Sequence, residues 1–298
     1  MKALTLPPRR VIFEDWFKEG DLGYIFAPRG VGKTWFALDS AKAIATGGAF
    51  GPWKSHVCWP VLYVDGEMYF EDDKSRILGL NDGASPENLH VLNHEVLFQR
   101  QEIILNLADV SYQLAITELC LDRGIRVLIL DNLSCLFSGV SENDPDDWEQ
   151  VLPWLLRLRR QRIAVVVVHH AGRNLQLRGH SKREDPAAWM VRLDSKDKDG
   201  EGARFISRFT KIRGQKLAYD FDWHYQPLGD SQVQVTYKKA DQAEVVLQWV
   251  RDGLESASDI ADEMGITKGT VSKLASKLID AGKLQRTGRL YALADETF

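Results

Sequence analysis

Residues 22–27, Leu-Gly-Tyr-Ile-Phe-Ala, form an apolar run that passes directly into Pro28-Arg29-Gly30-Val31-Gly32-Lys33-Thr34, and a helical pattern follows from Thr34 to Ala45. Strand, glycine loop and helix in that order are the setting a phosphate-binding loop requires. Gly30 and Gly32 let backbone N–H groups close around phosphate oxygens, and the start of the helix adds its positive end. Lys33 is placed to reach terminal phosphates and Thr34 to ligate Mg2+. Gly30, Val31, Gly32, Lys33, Thr34 and Trp35 are therefore the expected nucleotide contacts. The full loop pattern begins with a glycine where this chain has Ala27, a change that asks only for a tolerable backbone angle there.

Further apolar runs lie at Val61 to Asp65, Leu89 to Leu92, Ile125 to Leu130 and Ile163 to Val168, with amphipathic segments such as Glu102 to Leu121 between them. Continuous apolar strands spaced by helices predict an α/β fold with a mostly parallel sheet covered on both faces. From Ala187 the pattern changes. Runs beginning at Ala188, Ala203, Leu217 and Gln232, separated by loops rich in Gly, Asp and Lys, predict an antiparallel meander that extends the sheet. A short polar join near Ala240 leads to a compact, mostly helical tail, so the expected domains are residues 1–240 and 241–298.

The 298 residues, 44% hydrophobic and 27% charged, suit one large and one small globular domain. With no secretory or membrane-spanning segment in the sequence, a cytoplasmic protein without membrane contact is expected. Cys58, Cys120 and Cys135 lack metal-ligand spacing, and two of them sit in apolar surroundings that suit a buried thiol. The net charge of -4 gives no hint of nucleic acid, so any such partner must be recognised by local clusters.

Two buried strands end in carboxylates. Ile125-Arg-Val-Leu-Ile-Leu-Asp131 places Asp131 beside the phosphate loop as a second magnesium-side group. No glutamate follows it. In Val61-Leu-Tyr-Val-Asp-Gly-Glu67, however, Glu67 stands just past the tip of another strand, where it can reach the same water as general base or water positioner. This arrangement resembles the RecA-like branch of P-loop ATPases. That resemblance implies a polar sensor of the terminal phosphate at the end of the strand Ile163 to His170, with His170, or alternatively His169, in that place. Lysine and arginine two residues apart on a strand, as in Lys211-Ile-Arg213, project to one face. In hexameric helicases of the DnaB kind such a pair is supplied by one subunit to the ATP of its neighbour, so the resemblance implies that Lys211 and Arg213 act in trans, Arg213 as an arginine finger. Residues from about 10 to 240 look most like the RepA-type hexameric helicases of mobile replicons, which implies ATP and Mg2+ as ligands and a homo-oligomer, in that family a hexamer.

The resemblance also implies that the loops after the Asp131 and His170 strands face a channel for single-stranded DNA. The first, residues 138–147, is acidic and departs from that expectation; the second carries Arg173, Arg178, Lys182 and Arg183. In the tail, residues 256–284 have a helix-turn-helix pattern, with Ser258 and Thr267 as candidate caps, a turn at Gly265 and a buried stripe of Val271, Leu274 and Leu278. A two-stranded wing follows, turning at Thr287 and Gly288, so the tail resembles a winged helix. Its cations, Lys268, Lys273, Lys277, Lys283, Arg286 and Arg289, cluster on the second helix and wing, an arrangement that serves duplex DNA or docking to a protein such as a replication partner. Two readings stand: a ring-forming DNA motor, a replicative helicase of a mobile element, and an ATP-switched DNA-binding regulator or replication initiator that unwinds nothing.

Overall fold

The computed structural model describes residues 7–14, 16–139, 150–171, 185–196, 202–214, 219–229 and 232–294. The chain divides into two compact units, Met1–Ala218 with Trp223–Tyr237, and Tyr219–Asp222 with Lys238–Phe298.

In the first unit a short hairpin, β1 (Val11–Phe13) and β2 (Phe17–Lys18), precedes β3 (Leu22–Ala27) and helix α1 (Lys33–Thr46). A second small hairpin, β4 (Ala49–Phe50) and β5 (Trp53–Lys54), leads to β6 (Val61–Asp65), α2 (Phe70–Leu80), β7 (Leu89–Asn93), α3 (His94–Gln101) and α4 (Val110–Asp122). Then come β8 (Val127–Asp131), α5 (Leu133–Leu136), α6 (Leu152–Arg160), β9 (Ala164–His170), β10 (Trp189–Ser195), β11 (Ala203–Ile212), β12 (Phe221–Pro227) and β13 (Val233–Lys239). One sheet takes the order β13-β12-β11-β10-β3-β9-β8-β6-β7. Its strands from β10 to β7 pair in parallel. Every residue of β3, β6, β8 and β9 is buried, as the uninterrupted apolar runs require of strands covered on both faces.

Two sequence expectations need correction here. The run from Ala188, expected in an antiparallel meander, forms β10, which lies parallel to β3; only its other edge pairs antiparallel, with β11. The connections on to β12 and β13 are too short for a parallel crossover, so the antiparallel part begins one strand later than expected. The segment from Glu102 to Leu121 is not one helix. α3 ends before Glu102, which adopts a left-handed φ of 56°, and α4 starts only after Asp109 accepts from the Ser111 N–H at 2.8 Å. Asn106 bonds the Ala108 N–H in the same way, so side chains that bond nearby backbone end helical continuity between the two.

The sheet is packed in two ways. Around β8 and β9 the core is aliphatic, with Leu128, Leu130, Val165, Val167 and Leu158. Beneath the antiparallel part it is aromatic: Trp16 meets Trp189 edge-on at 4.8 Å, Phe36 meets Trp223 edge-on at 5.3 Å, and Phe50 stacks on Trp223 at 5.1 Å. Such pairs add about 0.5–1.5 kcal/mol each beyond burial. Of the cysteines only Cys120 is buried, its thiol pushed up to about 12 by desolvation, whereas Cys58 and Cys135 are exposed. Apolar neighbours in sequence do not bury a thiol in a loop or a short helix.

The second unit contains α7 (Gln242–Arg251), α8 (Ala257–Met264), α9 (Lys268–Asp280) and the antiparallel pair β14 (Leu284–Thr287) and β15 (Leu290–Leu293). Val246, Val250, Ile260, Val271, Leu278 and Tyr291 form its own apolar cluster. Thr267 caps α9 through the Thr270 N–H at 3.2 Å. The cap of α8 is Ser256, bonded to the Asp259 N–H at 3.1 Å, rather than Ser258, which lies within the helix. Lys268, Lys273 and Lys277 on α9, Lys283 in the turn that follows, and Arg286 and Arg289 on the hairpin are all exposed. No helix among the described residues is long and apolar enough to cross a membrane.

Candidate nucleotide-binding and catalytic site

Because β3, β9, β8 and β6 run parallel, their C-terminal ends meet at one edge of the sheet. Ala27 pairs with His170 and Asp65 with Asp131. Loops leaving this edge bring the phosphate loop, Asp131, His170 and Glu67 together although they lie far apart in sequence.

The loop after Ala27 turns at Gly30 (φ 74°) and Gly32 (φ 122°), conformations that side chains rarely adopt. Gly30 faces open space. Gly32 is enclosed: a Cβ there would lie 2.6 Å from the Ala203 Cβ and 2.9 Å from the Phe205 ring on β11. Ala27 is the last residue of β3 and needs no positive φ, so the missing first glycine costs nothing. No side chain caps α1 and no acidic residue occupies its first turn, which leaves its leading N–H groups for an anion.

Lys33 is buried and folds back over the loop, donating to Ala27 O at 3.2 Å, Pro28 O at 3.0 Å and His170 Nδ1 at 3.1 Å. Burial lowers its pKa, while Asp131 and Glu67 oppose that shift. Asp131, fully buried at the end of β8, accepts from the Tyr63 hydroxyl at 2.6 Å and from Thr34. Desolvation raises its pKa against these bonds and the Lys33 charge. Asn132 donates through Nδ2 to Glu67 Oε2. His170 Nε2 lies 4.0 Å from the same oxygen. Burial, and then Lys33, push the His170 pKa down to about 4, so the ring is neutral near pH 7 and this contact is not an ion pair there.

Lys33, Thr34, Glu67, Asp131 and His170 line a cavity of about 330 Å³, together with Arg29, Gly30, Gly32, Trp35, Met68, Arg76 and Gly202. Val31 is buried and its side chain does not line it, so within the loop it offers backbone only. His169, the alternative sensor, is fully buried and also absent from the lining. The Arg76 guanidinium sits 4.9 Å over the Trp35 ring. Arg76, Met68 and Gly202 have no motif spacing that would single them out. Asn132 does have a signal, because it directly follows the strand-end aspartate.

Behind Glu67 lies a buried polar group. Asp65 Oδ1 accepts the Glu67 N–H at 3.0 Å and the Met68 N–H at 2.7 Å. Desolvation, and then Asp73 and Asp131, raise its pKa to about 8. Asp73 is raised by burial to about 6 despite a bond from Asn93.

Lys211 and Arg213 are not in this cavity. Arg213 N donates to Ala188 O, and Ala188 N to Leu22 O, at 2.7 Å each. Arg213 is therefore level with the first residue of β3, about 17 Å along the strand from the loop that leaves Ala27. Lys211 pairs with Met190, which pairs with Tyr24. Both lie toward the end of β11 away from Ala203 and Phe205, which border the chain's own phosphate loop, and neither lines the cavity. Arg173, Arg178, Lys182 and Arg183 lie outside the described residues, as does most of the acidic segment 138–147.

Fold and site together define a RecA-like P-loop ATPase. The AAA domain family model matches residues 1–176, and the chain belongs to that family. Among solved structures, a KaiC-like protein from the hyperthermophilic archaeon Pyrococcus horikoshii matches with a TM-score of 0.50 and 15% identity, covering 76% of this chain and 93% of its own. The flagellar accessory protein FlaH from Methanocaldococcus jannaschii matches with a TM-score of 0.50 and 13% identity, covering 73% and 90%. At such identities the likeness is one of fold. No curated protein matches the chain.

Proposed function

We propose that the chain is an ATP-driven DNA motor that works as a homo-oligomeric ring, a helicase of the RepA type, with residues 241–298 serving as a winged helix that holds duplex DNA. The observation that carries this reading is the separation of Lys211 and Arg213 from their own phosphate loop: two cations on one strand end find an anionic target in the site of a second copy.

In hydrolysis, Lys33 leaves its carbonyl partners for the terminal phosphate. Glu67, held by Asn132, orients the attacking water and takes its proton as the new oxygen–phosphorus bond forms and the bond to the bridging oxygen breaks. The residues fit Mg2+: the Thr34 hydroxyl and the Asp131 carboxylate are hard oxygens joined to each other at the cavity. Among the described residues no three His, Cys, Asp or Glu side chains are grouped so as to hold a metal by themselves. When bound, that ion would supply charge neutralisation between phosphates.

The exposed cations on α9 and the β14–β15 hairpin favour a second reading, an ATP-switched regulator that binds duplex DNA without unwinding it. ATP hydrolysis measured alone, with single-stranded DNA and with duplex, at two salt concentrations, separates the two. Stimulation by single strands that fades with salt supports the motor. Turnover indifferent to single strands, with binding confined to duplex, supports the regulator.

A further inference from the structure

The catalytic part assigned to Glu67 depends on a short loop, Gly66 to Tyr69, whose backbone must be held still. Asp65 takes the Glu67 and Met68 N–H groups, and Asp131 O takes the Gly66 N–H at 2.7 Å. The Met68 carbonyl is met by the Asn93 carboxamide, whose Nδ2 donates to it at 2.9 Å. Asn93 is the last residue of β7, in register with Asp65 on β6, and is buried away from the cavity. Its Nδ2 also donates to Asp73 Oδ2 at 3.0 Å, and its Oδ1 accepts the Val96 N–H at 3.2 Å as the cap of α3.

The two ends of this carboxamide do different work. An N-cap needs only an acceptor, which serine or aspartate supplies equally well. The nitrogen serves no cap; it is spent on Met68 and Asp73, which flank the start of α2, with Asp65 Oδ1 a longer contact at 3.5 Å, and all three border the loop that carries Glu67. We propose that Asn93 is a positioning residue for ATP hydrolysis, clamping the Met68 carbonyl so that the Glu67 carboxylate is presented to Asn132 and the cavity. This inference rests on the assignment of Glu67 as the hydrolytic carboxylate.

Asn93→Ser keeps an oxygen for the α3 cap and removes the amide donor; Asn93→Thr does the same without adding a carboxylate beside Asp73 and Asp65, and is the second variant should the first not fold. A carboxylate displaced by a fraction of an ångström loses alignment with the water, so kcat is expected to fall by about tenfold to a hundredfold with KM for ATP little changed. The decisive measurement places Asn93→Ser in a Glu67→Gln background. If Asn93 acts through Glu67, the double variant is no slower than Glu67→Gln alone. Multiplying losses, or a rise in KM with kcat intact, would overturn the inference while leaving Glu67 in place. A Glu67→Gln chain that turns over normally would instead overturn the assignment of Glu67 itself.

Discussion

Lys33 Nζ donates to His170 Nδ1 at 3.1 Å, joining the phosphate loop to the end of β9. An ammonium can only donate, so His170 must offer a lone pair at Nδ1 and carry its proton on Nε2, toward Glu67. His170 thus sits between Lys33 and Glu67, the place that the proposed sensor of the terminal phosphate would take. His170→Ala should lower kcat by about a hundredfold while leaving nucleotide affinity within a few-fold. Nucleotide binding by calorimetry beside steady-state turnover checks it; an affinity loss as large as the rate loss would make His170 a binding group only.

Acid–base titration of the buried carboxylates should be visible in stability. Asp65 and Asp73 have folded pKa values raised to about 8 and about 6, so the folded state holds their protons longer than the unfolded chain. Their favourable contribution is complete below the ordinary carboxylate range and is lost as pH rises through about 6 and then about 8. His170 works oppositely: with its folded pKa down at about 4, stability rises between there and the ordinary histidine value, and is level above it. Asp65→Asn keeps an Oδ1 for the Glu67 and Met68 N–H groups and removes the later loss. Urea midpoints across this range should fall for the parent toward alkaline pH and stay flatter for the variant; parallel curves would refute the assignment.

Gly32→Ala should destabilise the chain by about 1–3 kcal/mol and abolish nucleotide binding. The new methyl meets Ala203 and the Phe205 ring, and the φ of 122° is itself unfavourable for alanine. Gly30→Ala has room for its methyl and retains only the backbone strain, so it should be the milder of the two in thermal unfolding.

If Lys211 and Arg213 complete a neighbour's site, two inactive chains should rescue each other. A mixture of Arg213→Ala and Lys33→Ala contains interfaces with one intact loop and one intact finger, and recovered turnover in that mixture is the expected result. No recovery at concentrations where the chains assemble would count against action in trans.

Much of the site is legible in the sequence because it hangs on strand ends. A parallel strand announces itself as an apolar run, and the polar residue where the run stops must lie at the edge where such strands converge, which marks Asp131 and His170 at strand ends and Glu67 two residues beyond one. Tyr63, Asn93 and Arg76 are of another kind. Tyr63 reads as one more apolar strand residue until its hydroxyl is seen on Asp131, and Asn93 merely follows the apolar run Leu89 to Leu92 until its nitrogen is followed to Met68. Helix α3 was missed because none of its residues is buried, so it has no core-facing stripe to be read. The parallel pairing of β10 was missed because both edges of a buried strand look the same in sequence.

The segment matched by the AAA domain family stops at residue 176, yet the wall that forbids a side chain at Gly32 is built by Ala203 and Phe205 on β11. The phosphate loop therefore takes its shape partly from strands outside the recognised region. A fragment ending after β9 would keep every motif residue of the loop, with Asp131, Glu67 and His170, and still lack the mould against which the loop is cast. The unit that keeps the packing around Gly32 therefore extends at least into β11, and insertions or truncations that displace Ala203 or Phe205 should be felt as defects in ATP binding.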